Sequence, residues 1–526
     1  MQRLICILFV FALLSHAHAD ADFDDSAVVK LQVQVNQSGP KINRHIFGQF
    51  AEHLGRGIYE GVWVGENSDI PNVRGIRSDV VKALKAIKVP NIRWPGGCFA
   101  EEYHWQDGIG KPTERKARLN ANWGNVIEPN TFGTHEFLDF TEQVGAEAYI
   151  SANVGSGTVQ EAADWLEYMT AEQTTALAVI RKQNGRNKPF NVPFWGLGNE
   201  SWGCGGALSA DDYLMQLKRF SRFSRNLDPS QTMQQIAVGP DGDNTQYTET
   251  IMSAWADKTW SWDIQGLSLH KYTLNGWPPS KAASDFGADD YVSMLNETLT
   301  MEDSINLHAA IMDKYDPAKK VALVVDEWGA WLAPTPGSNP GFLEQQNSLR
   351  DAILAALNLN IFIRHADRVR MTNIAQMVNV LQAMILTDGA KMLLTPTYYI
   401  YQMYMPFQDA TFIPIDYEPG HYQHADTTLP QLSVIAAKDK QGVLWLAATN
   451  IDPNNSLTLE LDIAGKSLQA LEGYTLTAAK VDSVNTFSQP QKVVPSKISA
   501  GINNNKLRIT LAAKSVSVFS IQESHK

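Results

Sequence analysis

Two glutamate residues, Glu200 and Glu327, stand where acid–base chemistry would need them. Each directly follows a short apolar run, and each is followed by small or aromatic residues instead of a charged helix face. A carboxylate at the end of a buried strand costs free energy unless it has a partner or a function. Cleavage of a glycosidic bond uses such a pair, because one carboxyl group protonates the leaving oxygen while the other attacks the anomeric carbon.

The residues near the two glutamates predict how their carboxyl groups would differ. Trp202 would exclude water and raise the pKa of Glu200, whereas Arg93 would keep Glu327 ionised. A single glutamate is ordinarily a surface or helix-capping residue. The prediction therefore depends on the pair together with the polar residues around it.

Polar and aromatic residues follow other apolar runs in the same way. The segments concerned are 49–53, 93–98, 270–272 and 373–376. In a barrel of parallel strands, side chains at the carboxyl ends of the strands leave the packed interior and face one shared cavity. The pattern predicts a cluster of polar groups at one rim of such a barrel.

The segments that must position these residues alternate between strand and helix. Short apolar runs at 46–50, 91–94, 148–152, 194–197, 236–238, 264–269, 321–325 and 369–374 are separated by stretches with helical periodicity, such as 78–87, 161–169 and 348–363. Eight units over residues 45–395 indicate an α/β fold, a (β/α)8 TIM barrel. An open doubly wound sheet is the alternative, but the first unit has no Gly-x-Gly-x-x-Gly.

The texture of the sequence changes near residue 396. Residues 396–526 show alternating apolar runs and turn signals, which predict an antiparallel β-sandwich. Alternation also marks residues 29–35, and a lone strand needs a partner, so we expect the N-terminal strand in residues 20–44 to complete this sandwich. It would then be a packed cap on the barrel; a separate polysaccharide-binding module is the alternative.

Composition excludes several classes of protein. Of the 526 residues, 44% are hydrophobic, which excludes a disordered chain. Asp and Glu number 56 against 44 Lys and Arg, and this net charge of −12 argues against nucleic-acid or membrane partners. Metal-binding, phosphate-binding and nucleophile-elbow motifs are missing from the sequence, so we expect no metal and no cofactor.

The N-terminus has the pattern of a signal peptide. Arg3 precedes the apolar run 4–14, and Ala17-His18-Ala19 follows, which predicts cleavage after Ala19. Eleven apolar residues would span about 16 Å, too short for a membrane anchor. We therefore expect residues 1–19 to be removed and the protein to be exported, either periplasmic or extracellular.

Two cysteines remain in the expected mature chain. Cys98 and Cys204 both lie in glycine-rich segments. A single bridge between them and two packed thiols are both compatible with the sequence.

Four segments together carry a family resemblance. They are FAEHLGRGIY at 50–59, RWPGGCF at 93–99, GNE at 198–200 and DEW at 326–328. In this order, and with barrel-like spacing, they resemble α-L-arabinofuranosidases of glycoside hydrolase family 51, from about residue 29 to the C-terminus. The resemblance implies a retaining hydrolase in which Glu200 is the acid/base and Glu327 the nucleophile.

The resemblance also implies a set of substrate-binding residues. Tyr272 would orient the nucleophile, His270 would support the site beside it, and Trp123 would cover the furanose ring. The residues implied to line the subsite for the terminal sugar are Glu52, Arg93, Cys98, Asn199 and Gln376. Aromatic faces suit sugar C–H groups, and hydroxyls need fixed polar partners.

The activity implied is exo-hydrolysis of terminal non-reducing α-L-arabinofuranosyl groups from arabinoxylan, arabinan or derived oligosaccharides. An endo-β-1,4-glucanase or β-xylosidase on the same scaffold is one alternative, and a non-catalytic sugar-binding protein is another. The resemblance further implies a homo-oligomer, in some relatives a hexamer.

Overall fold

The body of the molecule is a closed barrel of eight parallel strands. The computed structural model describes residues 28–462, 468–498, 500–503 and 506–523. In chain order the barrel strands are β1 (Gly48–Phe50), β2 (Asn91–Trp94), β3 (Glu147–Ser151), β4 (Phe194–Leu197), β5 (Gln234–Ala237), β6 (Gly266–Thr273), β7 (Ala322–Ala330) and β8 (Val369–Ile374). Each pairs with the next, and β8 pairs with β1. The predicted (β/α)8 barrel is confirmed.

Two strands run further than their apolar runs indicated. The runs at 264–269 and 321–325 end before the polar residues, but β6 continues to Thr273 and β7 to Ala330. Strand pairing places His270 opposite Glu327. Both side chains therefore stand on paired strands instead of in loops, because the barrel continues to supply hydrogen-bond partners beyond the apolar core.

The helices lie outside the barrel. They are α1 (Ser78–Ala86), α2 (Thr134–Val144), α3 (Val159–Thr170), α4 (Ala176–Gln183), α5 (Ala210–Phe223), α6 (Thr245–Ala256), α7 (Ala288–Tyr315), α8 (Leu349–Arg364) and α9 (Pro396–Tyr404). Inside the barrel, a layer of buried side chains fills the end opposite the site. It consists of Tyr149, Phe194, Ile236, Ala322, Val324 and Met371. This layer forms a floor beneath the polar residues.

Two further sheets form the C-terminal sandwich. One contains, in spatial order, Ile415–Asp416, Val28–Val33, Leu457–Asp462, Lys506–Leu511 and Ala500–Asn503; the other contains Thr411–Ile413, Leu432–Lys438, Leu444–Asn450, Ser515–Glu523, Leu468–Leu476 and Ser496–Lys497. The N-terminal strand completes the sandwich, as predicted. It pairs in parallel with Leu457–Asp462, so the sandwich is not wholly antiparallel.

The predicted boundary at residue 396 coincides with the start of α9. The alternating pattern predicted for 396–526 is wrong for the first nine residues, which form this helix; the sandwich strands begin at Thr411. Pro396 suits the first helical turn, where its missing N–H leaves no hydrogen bond unmade. The domain boundaries themselves remain a prediction.

Helix α8 lies between the barrel and the sandwich. Every residue from Leu349 to Ile363 is buried, because one face packs on barrel strand β7 and another on sandwich strands. Its residue Asn360 donates to the Ser433 hydroxyl at 3.1 Å and accepts from the Tyr404 hydroxyl at 2.9 Å.

In the described part of the chain, four two-stranded hairpins lie outside the barrel and the two sandwich sheets. They pair Asn72–Val73 with Ile76–Arg77, Arg118–Asn120 with Val126–Glu128, Ile385–Asp388 with Lys391–Leu394, and His421–His424 with Thr427–Pro430. Within the described ranges, none of the helices has both the length and the apolar character needed to cross a bilayer.

Candidate active site

Glu327 is held by side chains from two other barrel strands. It is 5% exposed on β7, and its Oε1 accepts from the Arg93 guanidinium of β2 at 2.8 Å. The Tyr272 hydroxyl of β6 donates to Oε2 at 2.8 Å, as the proposed orienting role requires. Burial, followed by the charge of Glu327, raises the pKa of Tyr272 well above its usual value, so this hydroxyl keeps its proton and donates.

Arg93 joins the two halves of the site. Besides Glu327, its guanidinium donates to Asn199 Oδ1 at 2.7 Å and lies 3.5 Å from Asp326. It also stacks over the ring of Phe50, 4.7 Å from the centroid. Burial lowers the pKa of Arg93, but the negative charges of Asp326 and Glu327 outweigh this effect and raise the pKa above its usual value. The cation is therefore fixed, and it offsets the buried carboxylates.

His270 lies among three carboxylates. Its Nδ1 is 2.8 Å from Glu200 Oε1 and 3.6 Å from Glu327 Oε2, and its Nε2 is 3.2 Å from Asp326 Oδ1. Burial lowers the pKa of His270, but Glu327, Asp326 and Glu200 together raise it well above its usual value. The ring therefore carries a positive charge between the two catalytic candidates.

Glu200 differs from Glu327 in standing on a loop. It follows β4, its side chain is 19% exposed, and its backbone adopts a left-handed φ of 40°. Burial raises the pKa of Glu200 and the charge of Glu327 raises it further, against the hydrogen bond from His270. A raised pKa suits a general acid. Trp202, which was predicted to exclude water from Glu200, lines the same cavity, and burial is the largest cause of the raised pKa.

Cys98 and Cys204 form a disulfide. The sequence was compatible with either a disulfide or two reduced thiols, and the structure has the disulfide. Glu200 Oε2 lies 3.5 Å from the sulfur of Cys204 and 3.8 Å from that of Cys98. Because these sulfurs carry no hydrogen, they offer this oxygen a polarisable neighbour and no donor. Cys98 still lines the cavity.

Glu52 is the third carboxylate at the rim. Its Oε1 accepts from the Trp123 indole at 2.8 Å and from the Phe99 amide at 3.1 Å, and its Oε2 accepts from the Gln376 amide at 3.1 Å. Burial, followed by the charge of Glu327, raises the pKa of Glu52 to about 8. The predicted residues Glu52, Trp123 and Gln376 thus form one connected unit.

A cavity of about 520 Å³ opens above these groups. Seven predicted residues line it: Glu52, Cys98, Trp123, Glu200, Tyr272, Glu327 and Gln376. The other three, Arg93, Asn199 and His270, are 1%, 1% and 4% exposed and lie behind the cavity wall. They belong to the cluster through their contacts with its other members: Arg93 and His270 contact the carboxylates, and Asn199 accepts a hydrogen bond from Arg93.

Several residues of the site were not predicted. Asp241, Lys271, Trp277 and Trp331 line the cavity on the side away from Glu52. Trp277 and Trp331 pack edge to face, 5.3 Å between centroids. Lys271 lies between the predicted residues His270 and Tyr272, so its position could have indicated it. Trp331 follows β7, which runs five residues beyond the predicted run 321–325, and Trp277 lies in a loop, so the sequence pattern indicated neither.

Among the residues that the structure describes, two groups of side chains have metal-ligating types and lie close together. In Cys98, Glu200 and Cys204 the sulfurs are committed to the disulfide. In Glu200, His270 and Glu327 one donor atom of each lies within 4.8 Å of the others, but both nitrogens of the histidine already contact carboxylates. The same measure places a carboxylate oxygen of Glu200 within 4.8 Å of one of Glu327. This upper bound is below the roughly 6.5–9.5 Å of an inverting pair and agrees with a retaining pair, whose carboxyl groups stand about 5–5.5 Å apart.

Proteins of known name and structure resemble this chain over nearly its full length. The intracellular exo-α-L-arabinofuranosidase of Bacteroides ovatus is 45% identical over 495 residues, 94% of this chain and 95% of that protein. The crystal structure of the family 51 (GH51) arabinofuranosidase from Xanthomonas axonopodis pv. citri is 51% identical, covers 94% of this chain and 100% of its own, and has a TM-score of 0.92. The α-L-arabinofuranosidase from Thermotoga maritima, solved with arabinose, is 31% identical with the same coverage and a TM-score of 0.82.

The predicted export is contradicted by one of these relatives. The Bacteroides ovatus enzyme is named as intracellular. The predicted signal peptide, residues 1–19, lies outside the described residues. A positive charge and a short apolar run are features of composition, and here they gave the wrong location.

Two family models match separate stretches of the chain, and both stretches include barrel strands. The model of the α-L-arabinofuranosidase 1 domain matches residues 83–260, which contain Arg93 and Glu200. The model of the α-L-arabinofuranosidase C-terminal domain matches residues 326–515, which begin one residue before Glu327 and include most of the sandwich. With these matches and relatives of such identity, the chain belongs to the α-L-arabinofuranosidases of glycoside hydrolase family 51.

Proposed function

We propose that Glu200 is the acid/base and Glu327 the nucleophile of a retaining exo-α-L-arabinofuranosidase. The observation that supports this proposal most directly is that one carboxylate oxygen of Glu200 lies within 4.8 Å of one of Glu327, in the same cavity. Their surroundings differ as the two roles require. Glu327 accepts from a guanidinium and a phenol, which stabilise its anion, while the pKa of Glu200 is raised.

In the first step, Glu327 attacks the anomeric carbon of a terminal arabinofuranosyl group. The bond to the leaving oxygen breaks as Glu200 gives that oxygen its proton, and a covalent arabinosyl-enzyme forms. Arg93 and Tyr272 hold the attacking carboxylate in place, so its approach needs no reorganisation.

In the second step, water replaces the departed group. Glu200 takes a proton from the water, whose oxygen attacks the anomeric carbon, and the bond to Glu327 breaks. Two displacements release arabinose with its original configuration. The charged ring of His270 holds Glu200 within reach in both steps.

The unit of Glu52, Trp123 and Gln376 would hold the terminal sugar. A carboxyl group with a pKa of about 8 is protonated near neutral pH, so Glu52 can donate to one hydroxyl and accept from another. Trp123 presents a ring face for sugar C–H groups. Cys98, through its disulfide, closes the wall beside Glu200.

The remainder of the substrate would leave past Trp202, Trp277 and Trp331. Trp277 is 72% exposed at the mouth of the cavity, where a second sugar can stack. Arabinosylated oligosaccharides and side chains of arabinoxylan or arabinan suit this arrangement, with one sugar in the cavity and the next against indole rings. Product release from a panel of these substrates measures the preference.

The test uses Glu327→Gln and Glu200→Gln with Glu102→Gln as the matched control, since Glu102 is exposed and lies outside the cavity. We expect Glu327→Gln to lower turnover of an aryl arabinofuranoside by several orders of magnitude with an unchanged circular dichroism spectrum. Glu200→Gln should lose about 10²- to 10⁴-fold on poor leaving groups. Near-normal turnover by Glu327→Gln would overturn the assignment.

We also propose that the protein is a homo-oligomer, in line with the family resemblance. Exposed apolar side chains on and near α5 support self-association: Met215 is 62%, Phe223 52% and Trp260 85% exposed. Light scattering of the purified protein would give the mass. A monomer at micromolar concentration would contradict the proposal.

A further inference from the structure

Glu101 is a buried carboxylate among the loops that follow β2, β3 and β4. It lies in the short 3-10 helix Cys98–Glu102 and is 2% exposed. Its Oε2 accepts from the backbone N–H of Val154 at 2.7 Å and of Gly155 at 2.6 Å, in the loop after β3. Its Oε1 accepts from the N–H of Asn199, in the loop after β4.

Glycine residues let the backbone come this close to the carboxylate. A Cβ added at Gly198 or at Gly205 would lie 3.0 Å from Oε1 of Glu101, and one at Gly155 would lie 3.1 Å from the Glu101 Cβ. Gly198 also has a φ of 101°, which L side chains rarely adopt. The sequence is therefore adapted to this carboxylate in two of the loops that it joins.

The tie to Asn199 acts on the residue just before Glu200. The Asn199 N–H bonds Glu101, while its side-chain oxygen accepts from Arg93 at 2.7 Å. Glu200 follows with a φ of 40°, a sparsely populated conformation that persists only when surrounding contacts fix it. Glu101 does not line the cavity, so any effect on the reaction must pass through these neighbours.

We propose that Glu101 is a positioning residue that sets the place of Asn199 and Glu200 for the acid/base half of the reaction. The inference depends on the proposed role of Glu200. Three N–H donors meet two oxygens, and only a carboxylate accepts at both. In Glu101→Gln, the side-chain NH2 would face one of these backbone N–H groups, so a donor would meet a donor. In Glu101→Asp, the charge would be retained but the side chain would be one methylene shorter.

The experiment measures the leaving-group dependence of Glu101→Gln on a series of aryl α-L-arabinofuranosides, with and without azide. A displaced Glu200 protonates poorly, so we expect kcat/KM to fall about 10- to 100-fold for poor leaving groups and much less for good ones. With good leaving groups the arabinosyl-enzyme should accumulate. Azide then attacks its anomeric carbon, the bond to Glu327 breaks, and arabinosyl azide forms with a rise in kcat.

Glu102→Gln is the matched control, because the adjacent carboxylate is exposed. It should match the wild type in both measurements. Glu101→Asp provides a second variant that keeps the charge, and it should show the same pattern more weakly. Thermal unfolding of each variant shows that the protein measured is folded.

Equal losses for all leaving groups, with no effect of azide, would overturn the inference and leave Glu101 a structural residue only. Wild-type behaviour would overturn it as well. Glu200→Gln separates this failure from a failure of the proposed function. If Glu200→Gln shows the leaving-group and azide pattern and Glu101→Gln does not, the positioning role alone is wrong; if neither shows it, the role of Glu200 is wrong.

Discussion

The two catalytic candidates are held in different ways. Glu327 stands within a barrel strand and is bound by side chains from β2 and β6, which are themselves buried. Glu200 stands on a loop and is held by His270, by a nearby disulfide and by the backbone before it. A nucleophile must be fixed, whereas an acid/base must serve two steps, so the difference matches the demands of each role.

Among the substitutions around Glu327, Arg93→Lys would have the largest effect. One ammonium group cannot replace a planar fork that donates to both Glu327 and Asn199. We expect kcat/KM on aryl arabinofuranosides to fall about 100-fold or more, for good leaving groups as well as for poor ones. Arg74→Lys, at an exposed ion pair with Asp139, is the control and should change nothing. A loss below threefold would mean that Arg93 is dispensable for placing the nucleophile.

Tyr272→Phe removes one hydrogen bond from the same carboxylate. A hydrogen bond to a charged group contributes about 1.5–3 kcal/mol, which corresponds to about a 10- to 100-fold loss in kcat. Tyr398→Phe, whose hydroxyl donates to Ala83 O, is the comparison variant. If both variants turned over alike, Tyr272 would not orient Glu327.

The double variant Cys98→Ser/Cys204→Ser tests the loop side. Without the bridge, the loop carrying Glu200 loses one of its ties, so with an aryl arabinofuranoside that has a good leaving group the second step should slow by about three- to tenfold while the first is preserved. A burst of aryl alcohol before steady state would report this, and the temperature of unfolding should fall. A slower burst would mean instead that the first step, in which Glu327 attacks, is affected.

The smallest effect is on stability. Folding raises the pKa of Glu52 to about 8 and that of Glu101 to about 7, from 4.5. The folded state therefore binds more protons than the unfolded state between pH 4.5 and 8, and the free energy of unfolding should fall as pH rises through this window. Glu52→Gln should flatten the dependence in urea titrations from pH 5 to 9. An equally steep curve would mean that the carboxyl group of Glu52 is not the source.

The barrel and the carboxylate pair could be predicted because both depend on local pattern. Strands β2, β4 and β8 match their apolar runs, and motifs at their ends named most residues of the cluster. Glu101 was not predicted, because its partners are backbone N–H groups in loops far along the sequence, and the spacing of side-chain types gives no indication of such contacts. Trp277 escaped for a similar reason, since only the folded loop brings it onto Trp331.

Burial could not be read from the motifs either. Arg93, Asn199 and His270 stand in sequence among residues that face the cavity, yet the folded chain places them behind its wall. The sequence cannot distinguish a residue that would touch a ligand from one that holds the residue beside it. In this site both kinds occur within a few positions of each other, as in His270 and Tyr272.

Helix α8 has a consequence for how the molecule can be divided. If the sandwich were cut away, the face of this helix that packs on the sandwich strands would be exposed to water, with its apolar side chains. We therefore expect a barrel expressed alone to aggregate, and we do not expect the C-terminal part to be exchangeable between enzymes like a tethered accessory. The catalytic unit that natural selection or an engineer can vary is the whole chain.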